Sequence, residues 1–375
     1  MTLNGDGTDA DSRNLNVLAD ATNGIQESTN KINITVHNDG GSRTASAAKL
    51  KALNGLTTGL ITINANINNV SGSVADLKEV FAANVAVAAA DTQITGLENT
   101  PATIAFATGA DTTLAATELN TLNGLTGGVV TFSAATQLTG VGTLDANGDS
   151  AVKTALDKMV ANELSYISGV TADVPPVTLT GSVSVADVNV ISGLTGGAVT
   201  ATISDGTMAA LNTLRNETGN AYTITITDTT ADAGDLHTLN GRTDVAVNAA
   251  ALTSITGTRT EINNVYAADA ADPKTITGLG NENVTITGGG SGAGGALTRA
   301  EVNTAAAYTT GSLKATVLED SIADYGTIVE SGNELALDVT DVTVDAATLN
   351  NFRAITTGVV NVQATTINGS LSDIA

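Results

Sequence analysis

Apolar and polar positions recur along this chain in a fixed arrangement. Leu119 and Leu122 lie three apart in Thr117-Glu118-Leu119-Asn120-Thr121-Leu122-Asn123-Gly124, a helix-period pair. Counterparts of Leu119 stand at Leu50, Leu77, Leu164, Val188, Leu211, Leu236, Ile262, Val302 and Leu349, with a weaker one at Leu15. Short gaps between these anchors cluster near about 24 residues, and the long gaps read as two units with a degenerate middle.

The neighbours of each anchor give the repeat a physical meaning. Four residues earlier stand helix-capping types: Ser46, Ser73, Ser184, Thr207, Asp232, Thr258, Thr298 and Asp345. An acid one residue before the anchor completes a capping box at Ser73/Asp76, Ser184/Asp187, Thr258/Glu261 and Thr298/Glu301. Glycines five after it (Gly55, Gly124, Gly169, Gly193, Gly241) read as helix stops. Each unit therefore opens with a short helix whose buried stripe is the anchor and the residue three on.

A strand follows at constant offset. Ile61, Val130, Val199, Tyr222, Val247 and Val360 are followed by Thr62, Thr131, Thr200, Thr223, Asn248 and Asn361, and then by another apolar residue. Apolar-polar-apolar at one register is a strand with one buried face. Gly59, Gly128, Gly197 and Gly358 mark the turn into it. A second short strand ends each unit, as in Gln137–Gly140, Ser254–Gly257 and Thr366–Gly369.

A unit this small cannot bury its apolar face alone, so the pattern predicts a repeat solenoid: parallel β-strands with short helices in each unit. Stacked strands about 4.8 Å apart would place Thr62, Thr131, Thr200 and Thr223 in one outward row. Residues 46–375 follow the rule irregularly, with a Gly-rich loop at 288–295, whereas residues 1–45 are loosely patterned apart from a strand-like Ile32–Val36. Ser150–Ile167 reads as a longer helix, and Pro175-Pro176 as a bulge or break in strand pairing.

Composition agrees with thin layers. Hydrophobic residues make up 42% of the 375, but only 2% are aromatic, so Ala, Val, Leu and Ile carry the interior. The net charge of −23 leaves little to neutralise phosphate, which argues against nucleic-acid binding. Without cysteine, thiol catalysis, thiolate metal sites and disulfides are excluded. No apolar stretch is long enough for membrane insertion as a helix, and Met1–Asp6 lacks the features of a cleaved signal. His37 and His237 lie in no metal-ligand pattern.

The ends carry the pattern as well. Gly369-Ser370-Leu371-Ser372-Asp373-Ile374 copies Gly72-Ser73-Val74-Ala75-Asp76-Leu77, and Thr2-Leu3-Asn4-Gly5 matches the helix motif Thr121–Gly124. These matches predict either a larger array or self-association head to tail, a heterologous contact that propagates as a filament.

The wording of Leu119–Val130 and of Thr275–Thr285 resembles the long, Cys-free, Thr/Ala/Gly-rich repeats of large secreted and cell-surface proteins of marine bacteria, cyanobacteria especially. The resemblance covers most of residues 46–375 in degenerate form. It implies an extracellular or cell-surface structural or adhesive protein, often exported without a cleaved signal.

Candidate chemistry is sparse. Asp145, Asn147 and Asp149 place oxygens at positions 1, 3 and 5 of a calcium loop, but position 12 is Leu156 and Asp157 follows; the plainer reading is an acidic turn before a helix. Asn4–Asp11 is a vaguer acidic cluster. Gly290, Gly292 and Gly295 spell G-x-G-x-x-G between a strand and a helix, in a tract rich enough in glycine to match by chance. Ser46-Ala47-Ala48-Lys49 spells S-x-x-K without its partner motifs, so Ser46 reads as a cap. The expectation is a non-enzymatic structural segment of a filament or surface adhesin. A viral tail-fibre or receptor-binding segment is the alternative, with an ice-binding Thr array behind it.

Overall fold

The computed structural model describes residues 2–4, 31–37, 43–85, 94–106, 113–133, 137–167, 175–328, 332–353 and 355–374. The chain is a mixed α/β protein with several parallel sheets, divided into two compact units, 1–183 with 187–201 and 184–186 with 202–375.

In the first unit, Thr2–Asn4, Ile34–His37, Ile61–Ile63 and Ile94–Thr95 form one sheet. Thr44–Ser46, Asn69–Gly72, Ala102–Ile104, Val130–Ser133 and Leu164–Ile167 form a second. Thr113–Ala115, Gln137–Val141 and Val177–Val183 run side by side in a third. These pairings are all parallel. Their buried columns are aliphatic: Ile34, Ile61 and Ile94 in the first sheet, and Ala45, Val70, Ala102, Val130 and Leu164 in the second.

The second unit repeats the construction. Thr230–Asp232, Ser254–Gly257, Asn283–Ile286, Leu313–Thr316, Glu334–Val339 and Val360–Val362 form a six-stranded parallel sheet. Two-stranded parallel sheets join Val247–Asn248 to Ile276–Thr277 and Thr343–Asp345 to Thr366–Asn368.

Helices form where the caps and apolar pairs require them, among them Ala47–Leu56, Val74–Val85, Ala116–Leu125, Ala233–Asn240, Arg259–Ala270 and Arg299–Ala306. Leu50/Leu53, Leu119/Leu122, Val188/Ile191, Leu236/Leu239 and Ile262/Val265 are buried as pairs. Each buried Leu contributes about 1.5–3 kcal/mol. Complete capping boxes close at Thr258/Glu261 and Thr298/Glu301. At Ser73 the hydroxyl accepts from Asp76 N at 3.1 Å, and at Ser46 no side-chain cap bond forms. Three helix starts are also bonded from further along the chain, two of them in addition to their own caps, Thr207 and Ser321. Asp205, Asp228 and Asp341 accept the first helical N–H groups of Val185, Met208 and Ile322 at 2.6, 2.7 and 2.7 Å.

Several expectations are corrected. Ser150–Ile167 is not one helix: Ala151–Val160 is helical, Asn162 turns the chain at φ 59°, and Leu164–Ile167 is a strand. Leu164 is therefore a sheet residue, whose apolar spacing suits either element. Thr2–Asn4 pairs as a strand instead of opening a helix. Gly55 and Gly124 lie inside the last turns of their helices, whereas Gly241 caps. Pro175 and Pro176 stand immediately before a strand, where a missing N–H is tolerated.

The single Thr row does not form. Thr62 pairs with Thr35 and Thr95, whereas Thr131 pairs with Thr103 and Ser165 in a different sheet. Between helices Val74–Val85 and Ala116–Leu125 the described residues form three strands, Ile94–Thr95, Ala102–Ile104 and Thr113–Ala115. Between the preceding and following helix pairs there are two, 61–63 with 69–72 and 130–133 with 137–141, and further on a single strand separates Val185–Ser192 from Met208–Leu211 and Arg299–Ala306 from Ile322–Tyr325. The extra strand moves the following ones by one sheet.

One recurring tie has no signature in the apolar-polar pattern. In Thr-x-Gly turns, the hydroxyls of Thr57, Thr126, Thr195 and Thr309 donate to the carbonyls of Ile32, Thr100, Pro175 and Glu282, at 2.9, 2.8, 3.1 and 2.6 Å. The same oxygens accept the N–H groups of Gly59, Gly128, Gly197 and Gly311. Thr356 does likewise, donating to Leu335 O at 2.8 Å and accepting from Gly358 N, and Thr243 makes the tie to Tyr222 O with Val245 in the glycine's place. Glycine is required where the turn presses on earlier backbone: a Cβ on Gly128 would lie 2.5 Å from Pro101 N.

Candidate functional site

The calcium candidates Asp145, Asn147 and Asp149 share one turn. Asp145 Oδ1 accepts the backbone N–H of Asn147 at 2.8 Å and of Asp149 at 3.0 Å, and Gly148 follows Asn147 at φ +79°. Those bonds, first from Asp149 and then from Asn147, hold Asp145 below the usual carboxylate range. Lys153 lies 3.2 Å from Asp149 and 2.7 Å from Asp157, and Ser150 caps the helix that carries it. The turn thus gathers the three residues but already engages both carboxylates. Among the described residues, no group of three or more His, Cys, Asp or Glu is placed to hold a metal. The Asn4–Asp11 cluster lies almost wholly outside the described residues.

At the glycine tract, the loop satisfies itself. Gly290 N bonds Gly295 O at 2.9 Å and Gly292 N bonds Ala296 O at 3.0 Å. The carboxylate of Glu301 then takes the place an anion would need at the start of helix Arg299–Ala306. It accepts from Ser291 N at 3.2 Å, from the Ser291 hydroxyl and from Thr298 N at 2.9 Å, with Arg259 Nη1 3.3 Å away. Burial opposes the charge, but the Ser291 and Thr298 bonds and Arg259 outweigh it and hold Glu301 at about 2. A helix N-terminus favours negative charge. Here the chain supplies that charge.

The most unusual surroundings belong to Glu282, which is 0% exposed. Its oxygens accept from Gly280 N at 3.0 Å and from the Tyr266 hydroxyl at 2.7 Å. Tyr266 stacks on Tyr308 with ring centroids 4.9 Å apart and planes 11° from parallel. Burial first, then the bond to Glu282, pushes the Tyr266 phenol well above its usual value. Tyr308 continues outward to a hydrogen bond with Asn263 at 3.1 Å and lines an open cavity of about 430 Å³ with Thr309, Thr310 and Gly280. The group ties helix Arg259–Ala270 to the start of strand Asn283–Ile286, as a fully bonded buried carboxylate must.

Sequence reasoning missed this acid. A signal existed in Gly96-Leu97-Glu98 and Gly280-Asn281-Glu282, which share a Gly N–H to Glu bond two residues on. Only in the second is the acid buried. Comparison with protein-family models, with curated proteins and with solved structures gives no match.

Proposed function

We propose that the chain is a non-enzymatic structural segment: a parallel β-solenoid with short helices in each unit of about 24 residues. It would work in an extracellular filament or large surface adhesin and self-associate head to tail. The observation that carries the reading is the Thr-x-Gly tie. At Thr57, Thr126, Thr195, Thr309 and Thr356 a threonine bonds backbone between 20 and 27 residues earlier. A bond renewed at that interval holds successive coils together, which is the work of a stacking protein.

The local chemistry supports the same role. Glu301, Glu282 and Asp145 each spend their charge on loop and turn N–H groups. The turn of Asp145, Asn147 and Asp149 is where calcium would enter such a surface protein, on release of Lys153. Electron microscopy of the purified chain tests the proposal. Rods that join end to end are expected; compact, unassociated particles would overturn it.

A further inference from the structure

The dipeptide Asn-Gly recurs in this chain, and the structure treats its copies differently. Those at Asn54, Asn123, Asn147, Asn240 and Asn368 have both residues described. Gly55 and Gly124 lie within helices Ala47–Leu56 and Ala116–Leu125, where an N–H bonds the carbonyl four residues earlier. Gly241 N bonds His237 O and Thr238 O at 3.3 and 3.2 Å, and Gly148 N bonds Asp145 O at 2.9 Å. Gly369 follows strand Thr366–Asn368, and no hydrogen bond to its N–H is found among the described residues. Asn368 and Gly369 are both exposed.

We propose that Asn368 is a site of spontaneous deamidation, and that the fold protects the other four. The Gly369 amide nitrogen, having lost its proton to solvent, attacks the Asn368 side-chain carbonyl carbon. The new C–N bond closes a five-membered succinimide, and the side-chain nitrogen leaves with a solvent proton as ammonia. Water then opens the ring at either carbonyl, giving aspartate or isoaspartate. No oxidant or reductant is consumed. At the other four sites the attacking N–H must first leave a helix or turn bond, which requires local opening. Isoaspartate at 368 would lengthen the backbone at the end of the strand paired with Thr343–Asp345 and add a negative charge.

The intact 375-residue chain, held in warm, mildly alkaline buffer and sampled for peptide mapping by mass spectrometry, tests this. Asn368 is expected to convert about tenfold or more faster than Asn54, Asn123, Asn147 and Asn240. In urea the five rates should converge, because the flanking glycine is then equally free. Asn368→Gln, which would need a six-membered ring, should remove the fast event. Conversion of any of the other four at the Asn368 rate in the folded chain, or an unchanged Asn368 while the urea control reacts, overturns the proposal. Strand Thr366–Asn368 is an edge strand that head-to-tail association would cover, so the rates are compared at a dilution where sedimentation shows single chains, which separates this test from that of the filament.

Discussion

The hydroxyl of Thr126 donates to the carbonyl of Thr100 at 2.8 Å, across twenty-six residues of chain. Thr126 is 8% exposed, and its oxygen also accepts from Gly128 N at 3.0 Å. One buried side chain thus serves a carbonyl of an earlier segment and an N–H of its own turn. Left unbonded in an apolar layer, each of those groups would be costly.

Thr126→Val keeps the shape and removes both bonds. A loss of about 1–3 kcal/mol is expected, the cost of stranding buried polar groups. Thr126→Ser should retain most of the stability. Urea denaturation of the three proteins checks the order; Val equal to the parent would show that the tie adds nothing.

Two glycines four residues apart should respond in opposite directions. Gly128→Ala drives a Cβ into the backbone of Thr100 and Pro101 and should cost about 1–3 kcal/mol or more. Gly124 has nothing within 4 Å of its Cβ position and lies in a helix, so Gly124→Ala should stabilise by about 0.5–1 kcal/mol. Thermal melts of the pair decide it.

Tyr266→Phe leaves a buried Glu282 oxygen without its hydroxyl donor while the ring stack survives. A loss of about 1–3 kcal/mol is expected by chemical denaturation. Tyr308→Phe, whose hydroxyl bonds the half-buried Asn263, should cost less.

Glu301 sets a pH dependence of known sign. Its folded value of about 2 lies below the ordinary 4.5, so the folded chain binds its proton less readily than the unfolded chain. The stability it contributes is fully present above pH 4.5 and is lost as the pH falls towards 2. Glu301→Gln should flatten that part of the acid-denaturation profile. An unchanged slope would mean the carboxylate is not held by Ser291 and Thr298.

The turn at Asp145 offers a further measurement. Lys153 occupies Asp149 and Asp157, so Lys153→Ala should tighten any calcium response in a calorimetric titration. A weaker response in the variant would place calcium elsewhere.

Much of the local structure was legible from residue order because it depends on near neighbours. Thr258 and Glu261 close a capping box over three residues, Leu119 and Leu122 share a helix face, and Val130, Thr131 and Phe132 alternate along a strand. Spacing alone specifies such relations. What needed the tertiary structure was which strand lies beside which. Thr62 and Thr131 each stand twelve residues after a helix leucine, Leu50 and Leu119, yet lie in different sheets, because one added strand between two helices shifts the pairings that follow it. The burial of Glu282 was hidden for the same reason: Glu98 has the same local bond and stays exposed, and only a tyrosine sixteen residues from Glu282, brought close by the fold, lets a carboxylate leave water. Short-range chemistry can be read along the chain, whereas burial and sheet partnership are set by segments that meet only in space.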